Sequence, residues 1–595
     1  MRVLLICLIL VETASAQSLP EIRTAVTRAL PSLQRSGAEF VAKRSCVSCH
    51  HNTLPVLTLH LARDRGFAID AAVLGAIEEK TFRQLRAPTA LDDVVQATSL
   101  SDPTPDDSTL LMAAHAAGLP PDLTTASYAR RLVGWQRDGH WVTSDFRPPH
   151  SSSLFAATAT AVRAVRLYMP DELRGQSDTA IRNARQWLFA TPPRSTEDAA
   201  FRLMGLVWAD APADQIGRAQ HDLLVLQKPG AGWPQLPGYA PDAYSTGEAL
   251  VALREAAMPV TEPAWRNGVR FLISTQARDG TWRVRTRMIS PATVSPPYFT
   301  TGFPYAKDEY LSYAGSCWAV MALAGAILPS PEKPGPPQSA GFSGGDAPAW
   351  ARTVLFGTLP QLTALLDGGL DPNSRTKNGT TLLMMAAPDV EKVRLLIARG
   401  ADVKVRGASG HDALTIAAAY RGTAPSLQAL IDAGAALQAP EGVRVRKSPL
   451  TLASMTGDLE NVKLLLARGA SASEETAISN AVTFGYPDIV RTLLSAGASV
   501  GFTESTGINL LHWAVITNRP AVIPVLVEAH VRIDAVDDFG FTPLMYAATI
   551  DFGNAEAVRA LLEAGADRSV RSIEGRTALE QARFFKHALL EAALR

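Results

Sequence analysis

The sequence predicts an all-α protein made of two helical repeat domains. Apolar residues recur at three- and four-residue steps in both halves of the chain, as in 111–119 and 393–401, which is the spacing of short amphipathic helices. The strict alternation that strands show is scarce. Residues 329–348 lack this periodicity and are half Pro and Gly, so they are predicted to form a linker between the two domains.

The composition excludes several classes of function. A chain of 595 residues that is 47% hydrophobic can build large cores, which excludes a predominantly disordered protein. Lys plus Arg and Asp plus Glu both total 57, so no net charge attracts DNA or RNA, and we expect no nucleic-acid partner. The sequence has no phosphate-binding loop, dinucleotide glycine fingerprint or nucleophile elbow, so nucleotide-dependent activity is not supported.

Residues 1–16 have the features of an export signal. Arg2 supplies the positive charge, residues 3–11 form an apolar run, and Ala14-Ser15-Ala16 is a small-x-small cleavage pattern. The run is too short to span a bilayer, and no later stretch has eighteen uninterrupted apolar residues. We therefore predict a periplasmic or secreted protein with no membrane span in the mature chain, with an uncleaved anchor as the alternative.

The most specific chemical motif is Cys46-Val47-Ser48-Cys49-His50. Two thiols three positions apart, followed at once by an imidazole, form the attachment pattern of c-type haem: Cys46 and Cys49 form the thioether bonds and His50 binds the iron. Such attachment takes place outside the cytoplasm, which agrees with an export signal. Covalent haem is the favoured interpretation. The alternatives are a Cys46–Cys49 disulfide or redox dithiol, and a zinc site with His50 or His51.

The first domain, residues 36–328, contains a repeated pattern of Gln, Gly and Trp. Gln136, Gln227 and Gln276 are each followed within six residues by Gly-Trp or Gly-x-Trp, and Gln186 begins a weaker copy. These starting points are 50, 41 and 49 residues apart, which fits one helix hairpin per repeat. The pattern resembles that of squalene cyclases and related terpene cyclases and prenyltransferases. The resemblance implies an α/α toroid in which the Gln and Trp residues join neighbouring hairpins.

The candidate catalytic residues of this domain are Asp242 and Tyr244. The resemblance implies an Asp-x-Asp-Asp-Thr-Ala motif whose middle Asp protonates an alkene, but Tyr244 and Ser245 occupy the positions of the acidic pair. Neither a phenol nor a hydroxyl is acidic enough for that step, so we predict that cyclisation is lost. The acidic pair Glu197-Asp198 is predicted to be a solvated turn or a helix cap. We expect a toroid without enzymatic activity; the alternative is an enzyme that acts on an isoprenoid-like or other hydrophobic substrate.

The second domain, residues 349–595, repeats a unit that begins as at Thr542-Pro543-Leu544 and closes with paired Leu residues and a Gly. The closing glycines Gly400, Gly434, Gly469 and Gly497 are 34, 35 and 28 residues apart, near the ankyrin period of about 33. This domain resembles ankyrin repeats. The resemblance implies a stacked solenoid whose concave surface binds other proteins and carries no chemistry.

The candidate protein-binding residues lie on turns between the repeats. They are Arg406, His411, Asp537, Asp538 and Phe539, and the alternative for each is an ordinary solvated turn residue. Phe539 is the strongest of the five because an exposed aromatic ring at a repeat tip is costly without a partner, although it can also pack on the neighbouring turn. The sequence thus predicts an exported scaffold that binds an unidentified protein and carries haem.

Overall fold

A computed structural model describes residues 18–44, 49–97, 102–150, 152–288, 301–329, 347–438 and 447–595. The predicted export signal and most of the predicted linker lie outside these ranges. Within them the regular elements are helices, so the predicted all-α class is confirmed. No described helix is both long and apolar enough to cross a membrane.

The N-terminal domain consists of fourteen α-helices in the described residues. A π-helical turn, Cys49–Thr53, precedes the second helix, and short 3-10 turns lie at Asp171–Leu173 and Ala306–Asp308. The α-helices are α1 (Leu19–Lys43), α2 (Leu54–Asp64), α3 (Ala71–Thr81), α4 (Arg83–Arg86), α5 (Ala90–Val95), α6 (Pro103–Ala116), α7 (Leu123–Val133), α8 (Leu154–Tyr168), α9 (Arg174–Ala190), α10 (Thr196–Trp208), α11 (Ala213–Val225), α12 (Ala243–Glu255), α13 (Pro263–Thr275) and α14 (Glu309–Gly325).

Six of these helices form a closed ring. Helix α2 packs against α6, α6 against α8, α8 against α10, α10 against α12, α12 against α14, and α14 against α2. Helices α1, α7, α9, α11 and α13 pack against the outside of this inner ring. The likeness to terpene cyclases, as distinct from the ring itself, stays a prediction.

The inner helices are parallel to one another, with their N-termini at the same end of the ring. At one end, Ser153 before α8 donates a hydrogen bond to Asp198 in the first turn of α10 (2.6 Å). At the other end, Trp208 closes α10 and its indole Nε1 donates to Glu255 at the end of α12 (2.9 Å). The ring therefore has an N-terminal end and a C-terminal end, named after the ends of the inner helices that lie there.

The Gln and Trp residues of the repeated pattern join neighbouring hairpins. The side chain of Gln136 donates to the carbonyl of Ala180 in α9 (2.7 Å), and that of Gln227 donates to the carbonyl of Ala264 in α13 (2.9 Å). Trp141, Trp233 and Trp282 are buried, and each indole donates to a carbonyl at the end of the preceding outer helix: Leu132, Leu223 and Leu272 respectively.

Helix α1 joins the last hairpin on the outside of the ring. Gln276 donates to the carbonyl of Ala25 (2.8 Å), so the third copy of the pattern binds the first helix of the chain. Gly280, with φ +85°, lies against the same helix, and a Cβ there would stand 2.1 Å from the carbonyl oxygen of Arg28. The helical domain therefore begins at Leu19, upstream of the start expected at residue 36.

The C-terminal domain consists of sixteen α-helices in the described residues, with a 3-10 turn at Pro520–Val522. They are α15 (Ala351–Phe356), α16 (Leu359–Asp367), α17 (Leu382–Ala386), α18 (Val390–Ala398), α19 (Ala413–Ala418), α20 (Ala424–Asp432), α21 (Pro449–Thr456), α22 (Leu459–Ala467), α23 (Glu475–Phe484), α24 (Pro487–Ser495), α25 (Leu510–Ile516), α26 (Ile523–Glu528), α27 (Pro543–Thr549), α28 (Glu556–Glu563), α29 (Ala578–Phe584) and α30 (Ala588–Leu594).

These helices stack in two layers. The odd-numbered helices from α15 to α29 pack each against the next, and the even-numbered helices from α16 to α30 form the second layer. The side chains of Thr381, Ser448 and Thr542 each accept a hydrogen bond from the third residue of the helix that follows, which caps its N-terminus. Gly400 and Gly434 have φ of +90° and +95°, the left-handed conformation that ends a helix at little cost.

Candidate functional site

The inner ring encloses a cavity of about 530 Å³, which we call the chamber. Apolar side chains form most of its wall, among them Leu57, Met112 and Trp318. At the C-terminal end of the ring, the chamber is lined by exposed residues such as His115 and Arg254. At the N-terminal end, Thr53, Glu197 and Tyr244 are buried and His150 is half-buried. The chamber is thus an apolar pocket that opens toward the C-terminal end.

The N-terminal end of the chamber carries carboxylic acids in an apolar setting. Glu197 and Glu248 are both buried, and burial raises the pKa of each well above its usual range. The carboxyl of Glu248 raises the pKa of Glu197 further, whereas the guanidinium of Arg287 opposes the shift. The phenol of Tyr244 lies near Glu248 and lowers the pKa of that carboxyl in part. The neutral acid is therefore the favoured form at this end.

The two candidate catalytic residues have different positions. Asp242 caps α12: one carboxylate oxygen accepts from the backbone N–H of Ser245 and the other from the side chain of Gln235, both at 2.9 Å. Burial raises the pKa of Asp242 to about 6. Tyr244 lines the chamber, and its hydroxyl lies 3.1 Å from Nδ1 of His150. Only Tyr244 of the two is in a position to contact a ligand in the chamber.

His150 extends the polar group at the N-terminal end. It lines the chamber, and burial lowers its pKa to about 4, so its ring is neutral at physiological pH. His150, Tyr244 and Glu248 place a neutral imidazole, a phenol and a carboxylic acid near one another. The pair of His150 and Tyr244 can share a hydrogen bond and donate one to a ligand.

The haem motif lies only partly within the described residues. Cys46 lies outside these residues. Cys49 and His50 begin the π-helical turn Cys49–Thr53, but their side chains are not part of the described structure. His51 is fully buried between two aromatic rings, with centroids 4.7 Å from Phe40 and 4.5 Å from Tyr313. Burial lowers the pKa of His51 to about 3, so it is a neutral core residue.

Three of the candidate protein-binding residues make contacts within their own turns. Asp537 accepts from the backbone N–H of Phe539 and of Phe541, at 3.0 and 2.8 Å. Arg406 pairs with Asp412 (2.7 Å). Phe539 is half-buried. These contacts hold the turns in shape.

The other two candidates differ in exposure. His411 is fully buried, and its Nδ1 lies 2.7 Å from the carbonyl oxygen of Gln96 in the N-terminal domain. Asp538 is exposed. His411 therefore contacts the chain's own first domain, whereas Asp538 faces solvent.

The first layer of the repeats packs against the N-terminal domain. Near the first repeats, Gln96 donates to Thr380 Oγ1 (2.7 Å), and the indole of Trp135 donates to the carbonyl of Ala419 (2.9 Å). Near the last repeats, Asp551 accepts from the hydroxyl of Tyr239 (2.7 Å). The N-terminal domain thus covers the surface of the array that is formed by the turns between repeats and by the first helix of each repeat.

Comparison with known proteins concerns the C-terminal domain. The family described as ankyrin repeats (3 copies) matches residues 351–441, 418–504, 478–572 and 511–590. The C-terminal domain carries ankyrin repeats. They imply protein–protein interaction, and the predicted solenoid is confirmed.

Relatives and solved structures with ankyrin repeats are similar to the chain. A putative ankyrin repeat-containing protein of Treponema pallidum is 38% identical over 116 residues, or 19% of this chain and 38% of that protein. Putative ankyrin repeat protein YahD of Escherichia coli is 28% identical over 196 residues, or 31% of this chain and 95% of that protein. The ankyrin repeat domain of human ASB11 is 26% identical and covers 37% of this chain and 96% of that chain, with a TM-score of 0.32.

Three residues of the chamber's polar end do not follow from the sequence motifs. Glu197 was predicted to be a solvated turn or cap residue, and that prediction is wrong because the ring encloses it. Glu248 and His150 had no predicted role. The one local signal is that Glu248 follows Tyr244 by four positions in a helix, which places both on one face.

Proposed function

We propose that the protein is an exported scaffold in which the ankyrin repeats bind protein, and that the first protein surface they bind is the helical ring of their own chain. The observation that supports this proposal is the row of contacts along the array, from Gln96 at the first repeats to Asp551 near the last. The array then holds the N-terminal end of the ring and leaves the C-terminal end open.

A cleavable linker tests this arrangement in the full chain. A protease site inserted between residues 330 and 346 lets the two domains be separated covalently after folding. We expect the cleaved halves to elute together in size-exclusion chromatography. In the variant that combines Trp135→Ala with Asp551→Ala they should separate. Halves of the unmutated protein that separate on cleavage would contradict the proposal.

The tips of the last repeats are the proposed surface for an external protein partner. Val536 and Ile573 are 48% and 76% exposed there, and the backbone N–H of Ile573 donates to the carbonyl of Phe539 (3.2 Å). Together with Asp538 they form an apolar patch with one charge, which suits a protein interface.

Crosslinking in cells tests this surface. A partner crosslinked to the unmutated protein should be lost from Ile573→Asp and retained by Val225→Asp, which alters a comparably exposed apolar residue on the outer helix α11. Retention of the partner by Ile573→Asp would contradict the choice of surface.

We also propose that the chain carries covalent haem. Cys46 and Cys49 would hold the group and His50 would bind its iron, and the bound group would supply electron transfer. The motif enters a π-helical turn, which is rare and often marks a functional site. Because His51 is committed to the core between Phe40 and Tyr313, the imidazole of the motif is that of His50, which fits the donor set.

A haem spectrum tests this proposal together with export. Protein matured in a host with cytochrome c assembly should show a pyridine haemochrome and a mass increase equal to one haem. A variant without residues 1–16 and a Cys49→Ala variant should lack covalent haem. Absence of haem bands from the exported, unmutated protein would refute the haem proposal, and free thiols or bound zinc would then distinguish the two alternatives.

A second candidate function is that the ring binds a hydrophobic ligand or substrate. The observation that favours it is the enclosed, largely apolar chamber with its polar group at the N-terminal end. A neutral fluorescent dye such as Nile red should bind one per chain with a blue-shifted emission, and a hydrophobic competitor should displace it. Failure of any apolar molecule to bind would refute this candidate.

A further inference from the structure

Basic side chains surround the open, C-terminal end of the chamber. Arg65, Arg163 and Arg254 all line it there, together with the carboxylates of Asp64 and Glu255. Glu255 accepts the indole N–H of Trp208. Within the described parts of the chain, none of the three arginines forms an ion pair shorter than 4.0 Å. Three guanidinium groups therefore face two carboxylates without direct pairing.

Arg65 is the clearest member of this group. Its Nε is buried and has no hydrogen-bond partner among the described residues, a costly state for a charged group. Burial lowers the pKa of Arg65, and the nearby guanidinium of Arg254 lowers it further, although Asp64 raises it. Arg163 has a similar effect on His115. Burial lowers the pKa of His115, and the nearby guanidinium of Arg163 lowers it further. An anion bound here would relieve both repulsions.

The opposite end of the chamber disfavours an anion. Its polar groups are Glu197, Tyr244 and His150, with the buried Glu248 and the half-buried Asp242 next to them. Carboxyl groups there would repel a negatively charged head if they ionised. The two ends thus differ in charge: the N-terminal end carries neutral acids, the C-terminal end carries three guanidinium groups, and the wall between them is apolar.

We propose that the chamber binds a single-chain anionic amphiphile, with its hydrocarbon chain between the inner helices and its carboxylate or phosphate at Arg65, Arg163 and Arg254. This inference rests on the second candidate function, that the ring takes a hydrophobic ligand. The shared chemistry is one long apolar chain with an anionic head, whether the source is a free fatty acid or a lysophospholipid.

The length of the chamber agrees with such a chain. Leu54 at the start of α2 and Arg65 just beyond its end both line the chamber. At 1.5 Å of rise per residue they are about 16 Å apart along the helix axis. An extended fatty-acyl chain can therefore lie along the inner helices with its head at the arginines.

Competition among ligands with one chain and different heads tests the proposal on the full-length protein. Nile red is the reporter, and palmitic acid, hexadecanol and hexadecyltrimethylammonium are the competitors. We expect palmitic acid to displace the dye at a concentration about tenfold below that of hexadecanol, as a charge-assisted hydrogen bond implies. The ammonium compound should be the weakest. A lysophosphatidic acid arm shows whether a phosphate head is preferred to a carboxylate.

Variants identify the arginines that bind the head. Arg65→Met keeps the length of the side chain and removes the charge, so it should weaken palmitic acid about fivefold or more and leave hexadecanol unchanged. Arg182→Met, an exposed arginine on the outer helix α9, is the matched control. Helix content by circular dichroism verifies that each variant is folded.

The outcomes separate this proposal from the function on which it rests. Equal displacement by the acid, the alcohol and the ammonium compound would overturn the anionic head while the hydrophobic chamber stands. An Arg65→Met protein that keeps the full preference for palmitic acid would overturn the assignment to this rim. If neither dye nor competitor binds, both the ligand chamber and the proposal are refuted.

Discussion

Replacing Glu248 by Gln should make the stability of the helical ring less dependent on pH. Burial raises the pKa of this carboxyl well above its ordinary value of 4.5, and the neighbouring Asp242 raises it further. As the pH rises above 4.5, the unfolded chain releases a proton that the folded chain keeps. The unmutated protein therefore loses free energy of unfolding with rising pH until the pH reaches the folded-state pKa. The amide has no proton to release.

The size of the effect follows from the same linkage. Each pH unit within this window is worth about 1.4 kcal/mol, so two units, from pH 4.5 to 6.5, give an upper bound of about 2.7 kcal/mol. Glu248→Gln should gain up to this amount relative to the unmutated protein over that interval. Glu197→Gln should behave similarly, because burial and the neighbouring carboxyl of Glu248 raise the pKa of Glu197 well above its usual range.

Urea unfolding followed by tryptophan fluorescence measures the difference, since eight of the ten tryptophans are in the ring domain. Midpoints at pH 4.5 and 6.5 are compared at constant m-value. Glu79→Gln, an exposed glutamate on α3, is the matched control and should follow the unmutated protein. If Glu248→Gln and the unmutated protein lose stability in parallel over this interval, the folded state does not hold that proton and the reasoning is refuted.

Three further substitutions test other contacts. Gln276→Ala removes the hydrogen bond to the Ala25 carbonyl that joins α1 to the last hairpin and should cost about 2 kcal/mol in thermal unfolding; an unchanged Tm would contradict this role. Asp242→Ala should cost about 1 kcal/mol through loss of the helix cap, while Asp242→Asn keeps most of the stability. Trp135→Phe removes the bond to the Ala419 carbonyl and should weaken association of the linker-cleaved halves about fivefold, near 1 kcal/mol; equal association would refute its contribution.

Features that depend on neighbours in sequence were predictable. The caps at Ser448 and Thr542 and the left-handed glycines at Gly400 and Gly434 depend on residues within one turn of helix. The repeat periods could also be predicted, because each repeat is built from the same local pattern of residues. This is why the all-α class and the ankyrin solenoid could be predicted from the pattern alone.

Features that depend on closure of the chain were not predictable in the same way. Glu197 has the local context of a first-turn helix residue, and only the neighbouring inner helices bury it beside Glu248. His411 lies on a turn that would face a partner in an isolated array, yet its partner is the carbonyl of Gln96 in the same chain. Neither environment is visible until residues far apart in sequence are brought together.

The seam between Gln276 and α1 has a consequence for how the protein folds. Its two sides are 251 positions apart. The entropic cost of closing this long loop must therefore be overcome before the seam contributes any stability. Contacts of such long range slow folding, whereas each ankyrin repeat rests mainly on adjacent repeats. During synthesis, α1 cannot form its contacts with the last hairpin until that hairpin has been synthesised. The apolar side of α1 is exposed during this interval, so α1 is the segment that most needs protection by a chaperone.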